Sequence, residues 1–387
     1  MPLRILCDAI AFCYGPAAAL IALIQTLHAN NPTGFTFDVL ATGSTRELLA
    51  RSVLPVNLLD VDSGNKGQLR GIDTAKYDAF INICNPYSFE HLRSPELKTV
   101  YLDFLLWMHE GPAAAHFAAD LYIAENYPGT RDWVSNRGKE IRHLRVVPPV
   151  IKPARYNPSK GKLLVGLGGL LSTLTPLGPA ARYSRFVVLQ IMEAARGTRF
   201  KQIVVACGES VKRAIGPQFN QPGLSFESFS HDAFLEQLSS AEAFVSHPGL
   251  YAVFEAALGG VPTALLPASN YTQVLQLRQY RRIGLASYSF SWEDLGLTPI
   301  QGDLPEAEGV KATIKQIKEA QEDVKCAPVL RSMLGSFLDL ESSALNEVGL
   351  LQRSISSQFG EDGPAQAARV LESWFQELNP RTSHHGS

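Results

Sequence analysis

Short apolar runs alternate with longer stretches of helical spacing along most of the chain. The runs fall at 3–6, 37–40, 79–83, 99–102, 163–167, 203–206, 243–245 and 263–266. Such runs predict buried strands, and their alternation with helices predicts βαβ repetition and a parallel sheet. The first helix is expected over 16–27, where Pro16 suits a helix start and Ala18, Leu20, Ile21, Leu23, Ile24 and Leu27 give a broad apolar face. Periodicity lapses over 147–162, VPPVIKPARYNPSKGK, a proline- and lysine-rich stretch that reads as a linker. Strand and helix then resume from a glycine-rich turn. The pattern predicts an α/β chain of two doubly wound, Rossmann-like parallel-sheet domains facing each other across a cleft, with ligands at the carboxyl ends of the strands. The expected division is 1–150, a linker at 151–161, a second domain at 162–360, and a C-terminal helix (363–378) with its tail at 361–387. The polar residues 379–387 are expected to fray.

At 387 residues the chain is long enough for two cores. Its 35 basic and 37 acidic residues leave no surplus charge for nucleic-acid phosphates or anionic membranes, so a small molecule is the expected partner. Cys7, Cys13, Cys84, Cys207 and Cys326 form no CxxC pair, which points away from zinc knuckles and disulfide frameworks and toward a reducing, cytoplasmic setting. Asp8 interrupts the apolar start, no cleavage-site pattern follows, and no run of about 18 apolar residues occurs, so neither a signal peptide nor a membrane span is expected.

The most informative stretch is 243–286. A buried strand ends at Ser246, turns through His247, Pro248 and Gly249, and opens a helix near Leu250, Tyr251 and Ala252. A helix N-terminus beside an imidazole is an anion site. Glu255 lies about two helical turns beyond His247 and could accept from a ribose diol, although alone it would be an ordinary acid stabilised by the helix dipole. The pair Gly168-Gly169 after the 163–167 strand either approaches a phosphate or simply permits a tight turn.

His247 and Gly249, Glu255, Gly260-Val261-Pro262, Pro267, Gln273 and Gly284 together resemble the donor signature of the GT-B UDP-glycosyltransferases and of the lipid II-forming N-acetylglucosaminyltransferase. The resemblance implies a GT-B fold and an inverting glycosyltransferase. His247, Gly249 and the amides of Leu250 and Tyr251 would hold a diphosphate, Glu255 the ribose, and Thr272 and Gln273 the sugar of a UDP-sugar. Gly168 and Gly169 would lie beside the phosphates, and Phe229 and Ser230 beside the uracil. The chain departs from the pattern by one extra residue between Pro267 and Gln273, and by Thr272 where many relatives carry an acid.

The acceptor side has fewer markers. The loop after the first strand, AFCYGPAAA, lacks the family's catalytic histidine, leaving Tyr14 and Gly15 as acceptor contacts. Asp103, in TVYLDFLLWMHEG, is the candidate base, with Trp107 as a further acceptor contact and His109 close behind; the alternative makes Asp103 a helix cap and His109 a surface residue. Asp8 is a weaker contender. That segment and ADLYIAENYPG also resemble proteins related to cytosylglucuronate synthase, of nucleoside-antibiotic pathways, which implies UDP-glucuronate and a nucleobase such as cytosine; the wider expectation is a small acceptor, a nucleobase or another natural-product scaffold. A glucuronate carboxylate would want an arginine, and Arg182, Arg185 and Arg278 are candidates. No metal and no cofactor beyond the donor are expected, and the chain is expected to be a monomer or homodimer. Two further readings stay open: an epimerase or hydrolase on the same fold, and a non-catalytic nucleotide-sugar-binding partner.

Overall fold

The computed structural model describes residues 2–111 and 114–378; the tail at 379–387, expected to fray, lies outside them. The chain forms two compact units. One takes the residues before Phe12, then Pro16–Lys152 and the described chain from Phe359; the other takes Phe12–Gly15 and Pro153–Gln358.

The first unit is built on a seven-stranded parallel sheet. Its strands are β1 (Leu3–Ala9), β2 (Phe35–Leu40), β3 (Val56–Leu59), β4 (Ala79–Ile83), β5 (Lys98–Asp103), β6 (Leu121–Glu125) and β7 (Leu144–Val147). They lie in the order β3-β2-β1-β4-β5-β6-β7. Strand order reverses between β1 and β4, the switch point where doubly wound sheets bind ligands. The helix Gly15–Asn30 follows the central β1 and is buried without a break from Pro16 to Ile24, so its apolar surface runs nearly all round. The C-terminal helix Gly363–Leu378 belongs to this unit: Gly363 packs on the backbone of Pro149, and the Phe375 and Phe35 rings lie 5.8 Å apart.

The second unit carries β8 (Lys162–Leu167), β9 (Gln202–Cys207), β10 (Leu224–Glu227), β11 (Ala243–Ser246) and β12 (Thr263–Leu265), all parallel, in the order β10-β9-β8-β11-β12. Its switch point lies between β8 and β11, where Gly166 pairs with Ser246. The two phosphate-side candidates follow these neighbouring strands, so topology alone brings Gly168 and His247 together. The proline-rich stretch is pinned rather than loose: Ala154 N–H donates to Glu255 O (3.0 Å), Asn157 N–H to Ser239 O (2.8 Å) and Ser159 N–H to Ser240 O (2.9 Å).

All eight predicted strands form. The pattern missed β3, β6, β7 and β10. Three of these are sheet edges, half exposed and interrupted by polar residues, so they lack the continuous apolar run of a strand buried on both faces.

Candidate functional site

In the second unit, β11 delivers His247 to the turn preceding the helix Tyr251–Gly259, and Leu250 caps that helix. The first-turn amides of a helix have no intrahelical acceptor and carry the positive end of its dipole. His247 is buried and fully engaged. Ser269 donates to Gln273 Oε1 through both N–H and hydroxyl (2.9 Å each), which leaves Gln273 Nε2 to donate to His247 Nδ1 (2.9 Å). The ring's Nε2–H then donates to Gly168 O (2.9 Å). Burial lowers the His247 pKa to about 4, against a smaller opposing effect of the Gly168 carbonyl, so the ring is neutral. Gln273, expected at the sugar, spends its amide on this chain and is itself buried.

Gly169 adopts φ +68°, and a Cβ there would come within 2.9 Å of Cys13 Cβ in the same unit; both conditions require glycine. Tyr14 and Gly15 lie in the Phe12–Gly15 segment that groups with this unit. A Cβ on Gly249 would press on the His247 ring at 3.3 Å. Glu255 is buried in the second turn of the helix, where His231 Nε2 meets its Oε1 at 2.6 Å. Sequence reasoning missed His231, although it directly follows Ser230. That serine caps the helix His231–Ser239 by accepting from Ala233 N–H (3.3 Å), and Phe229 packs on the core beneath. Thr272 donates to Glu306 at 3.5 Å. Arg278 bonds Glu293 and Ile300 O, and Arg185 bonds Gln218.

In the first unit Asp103 ends β5 as a buried carboxylate with four donors around it. Leu105 N–H (2.7 Å) and Cys84 Sγ (3.4 Å) reach Oδ1; the Tyr122 hydroxyl and His109 Nε2 (2.9 Å) reach Oδ2. Burial would raise the carboxyl pKa, but His109, Tyr122 and the Leu105 amide together hold it below the ordinary value. Burial would lower that of His109, and Asp103 more than offsets this. A His–Asp dyad therefore forms, from residues other than the missing loop histidine. Trp133 Nε1 donates to His109 O (2.7 Å), fixing the turn. Trp107 lies in that turn against Gly129, where a Cβ would come within 3.1 Å of it. His116, unremarked in the sequence, stacks on Tyr101 with ring centroids 4.5 Å apart, and burial lowers its pKa to about 4. Its setting in AAAHFAAD, an imidazole in an apolar stretch, was the available signal.

Asp8, at the end of β1, accepts from Asn85 Nδ2 (2.7 Å) and the Ser88 hydroxyl through Oδ2, while Oδ1 is buried with no hydrogen-bond partner. Burial raises its pKa to about 6 despite those donors.

MurG from Acinetobacter baumannii superposes with a TM-score of 0.54 over 96% of this chain and all of that one, at 13% identity. CalG4, the calicheamicin glycosyltransferase, gives 0.57 over 98% and 100%, at 16% identity. UGT89C1 from Arabidopsis thaliana, complexed with UDP, gives 0.55 over 98% and 100%, at 12% identity. The chain has the GT-B fold. No family model and no curated protein sequence matches it. The GT-B likeness thus rests on three-dimensional structure, and at these identities it establishes architecture. The five- and seven-stranded parallel sheets are the two GT-B sheets. Among the described residues no helix is long and apolar enough to cross a membrane.

Proposed function

We propose that the chain is an inverting glycosyltransferase that moves a sugar from a UDP-sugar to a small acceptor. The observation that carries this reading is the turn after β11, where His247, locked to Gly168 across the switch point of a GT-B sheet, precedes a helix N-terminus. Among solved structures of this fold, UGT89C1 is complexed with UDP, which supports a UDP-linked donor, and CalG4 is a glycosyltransferase, which supports the class of reaction. His247 is neutral and engaged at both nitrogens, so its part is to hold the Gly168 turn in place. The charge that grows on the departing diphosphate falls to the helix amides, which need no ion, and preorganised donors of this kind are worth roughly 3–4 kcal/mol each in well-studied cases. Glu255, oriented by His231, takes the ribose hydroxyls.

The base in this reading is His109, paired with Asp103. In its neutral form His109 donates Nε2–H to Asp103 and keeps the lone pair of Nδ1, and the neighbouring carboxylate makes that nitrogen a stronger base. That nitrogen takes the acceptor's proton as the acceptor oxygen or nitrogen bonds the anomeric carbon, and the bond to the diphosphate breaks with its electron pair leaving on UDP. Such base assistance serves a hydroxyl as well as a ring nitrogen, so it suits a natural-product scaffold as well as a nucleobase. UDP-glucuronate is the first donor to try, and cytosine the first acceptor.

The deciding experiment is calorimetry with UDP, dTDP, GDP, ADP and CDP, followed by product analysis with UDP-sugars. Selective UDP binding and transfer to an added acceptor are expected. Free sugar or epimerised donor formed without acceptor would replace transfer by hydrolysis or epimerisation. Binding without turnover on any acceptor would make the chain a nucleotide-sugar-binding partner, and no nucleotide binding at all would overturn the reading.

A further inference from the structure

Asp103, His109 and His116 come from the end of β5, the turn behind it and the short 3-10 turn Ala115–Ala118. One candidate ligand atom from each lies within 4.8 Å of the others. The carboxylate and the His109 ring already meet, and the two imidazole centroids are 5.3 Å apart. His116 is the unexplained member: it is 3% exposed, and neither ring nitrogen has a hydrogen-bond partner. Buried polar atoms are nearly always satisfied, so two empty nitrogens on one buried ring, beside a carboxylate and a second imidazole, point to a ligand that accepts lone pairs.

We propose that Asp103, His109 and His116 bind a divalent transition-metal ion. Two imidazoles and one carboxylate suit Zn2+, Fe2+ or Co2+ better than Mg2+ or Ca2+, which prefer oxygen donors throughout. The ion takes His109 through Nε2, the nitrogen facing Asp103, and His116 through one of its empty nitrogens. The outer bonds that such sites use to orient a ligating carboxylate are in place, from the Tyr122 hydroxyl to Oδ2 and from Leu105 N–H to Oδ1. With separations of six and seven residues, the three positions match no metal-binding motif in the sequence, and only the fold assembles them.

Coordination and the base role exclude one another. When Nε2 of His109 binds an ion, the ring proton resides on Nδ1 and no lone pair remains to accept a proton. Metal loading therefore switches transfer off. This consequence rests on the base assignment above, whereas the binding itself does not.

The test is Co2+ and Zn2+ titration of the metal-stripped full chain, read by the visible d–d bands of Co2+ and by calorimetry. One equivalent should bind, and His116→Ala, or His109→Ala at a more exposed position, should weaken binding at least about tenfold while circular dichroism stays that of the parent. A parent chain that binds no ion, or binding and spectra unchanged in both folded variants, overturns the site. If transfer is established, Zn2+ should inhibit the parent and spare His116→Ala. A bound ion that leaves turnover untouched would retain the site and remove His109 as the base.

Discussion

Single side chains here are set by what else is buried with them. His247 is neutral because Ser269 orients Gln273, Gln273 fills Nδ1, and burial disfavours the imidazolium. His247→Ala and Glu255→Ala should each weaken UDP binding, one by releasing the Gly168 turn and the other by removing the ribose acceptor, while Asp103→Asn should leave UDP affinity intact and depress turnover. Unchanged UDP affinity in both of the first pair would sink the donor site. Asp8 is the opposite kind of residue, a buried carboxylate with one oxygen unpartnered. Its folded pKa of about 6 lies above the ordinary value near 3.8, so its contribution to stability is greatest below pH 4 and is lost as pH rises through 6. Two pKa units correspond to about 3 kcal/mol at most. Asp8→Asn should therefore stabilise the first unit near pH 7.5 by up to that amount and show no advantage near pH 4, as urea unfolding at several pH values would reveal. Identical pH slopes for parent and variant would refute it.

At the scale of elements, part of the pattern that resembles a donor signature is structural. Gly260 ends the helix Tyr251–Gly259 in the left-handed region (φ +79°), and Val261 behind it is fully buried. This is the common glycine stop of a helix before a strand. The helix Ser342–Ser356 docks on that stop because Gly349 has no side chain: a Cβ there would run into the Gly260 carbonyl. Close approach lets the Gln352 amide bond Thr263 N–H (2.9 Å) and Thr263 O (2.8 Å), covering the edge of β12 as another strand would. Gly349→Ala should cost about 1–3 kcal/mol by overpacking. Gln352→Ala should cost a similar amount by leaving a buried donor and acceptor unsatisfied, roughly 1–3 kcal/mol. Chemical denaturation measures both, and changes under about 0.5 kcal/mol would show that this docking is not a source of stability. The edges of the sheets were the least legible elements, since half-exposed strands such as Val56–Leu59 and Leu144–Val147 carry polar residues that break the apolar run.

For the whole molecule, two separate cores predict two unfolding transitions rather than one. UDP at about a hundred times its dissociation constant adds roughly 2.7 kcal/mol to whatever binds it. Scanning calorimetry should therefore show UDP raising the transition of the unit built on β8 to β12 and leaving the other in place. A shift confined to the seven-stranded unit would move the donor site to the wrong half of the chain. The chain itself does not divide where the sequence does: the final helix, Gly363–Leu378, returns to the first unit, and Asn126 Nδ2 donates to Phe359 O (2.8 Å) at the point of return.

Local composition was enough to determine the alternation of buried strands and helices, the two-sheet plan and the turn at His247, because burial on both faces of a parallel sheet writes itself into contiguous apolar residues. The partners of the polar groups were decided by tertiary structure alone. His231 meets Glu255, Ser269 and Gln273 fix His247, and Tyr122, Cys84, His109 and His116 gather around Asp103 because strand order sets which loop ends are neighbours. Strand order depends on long-range pairing, and no short window of sequence contains it.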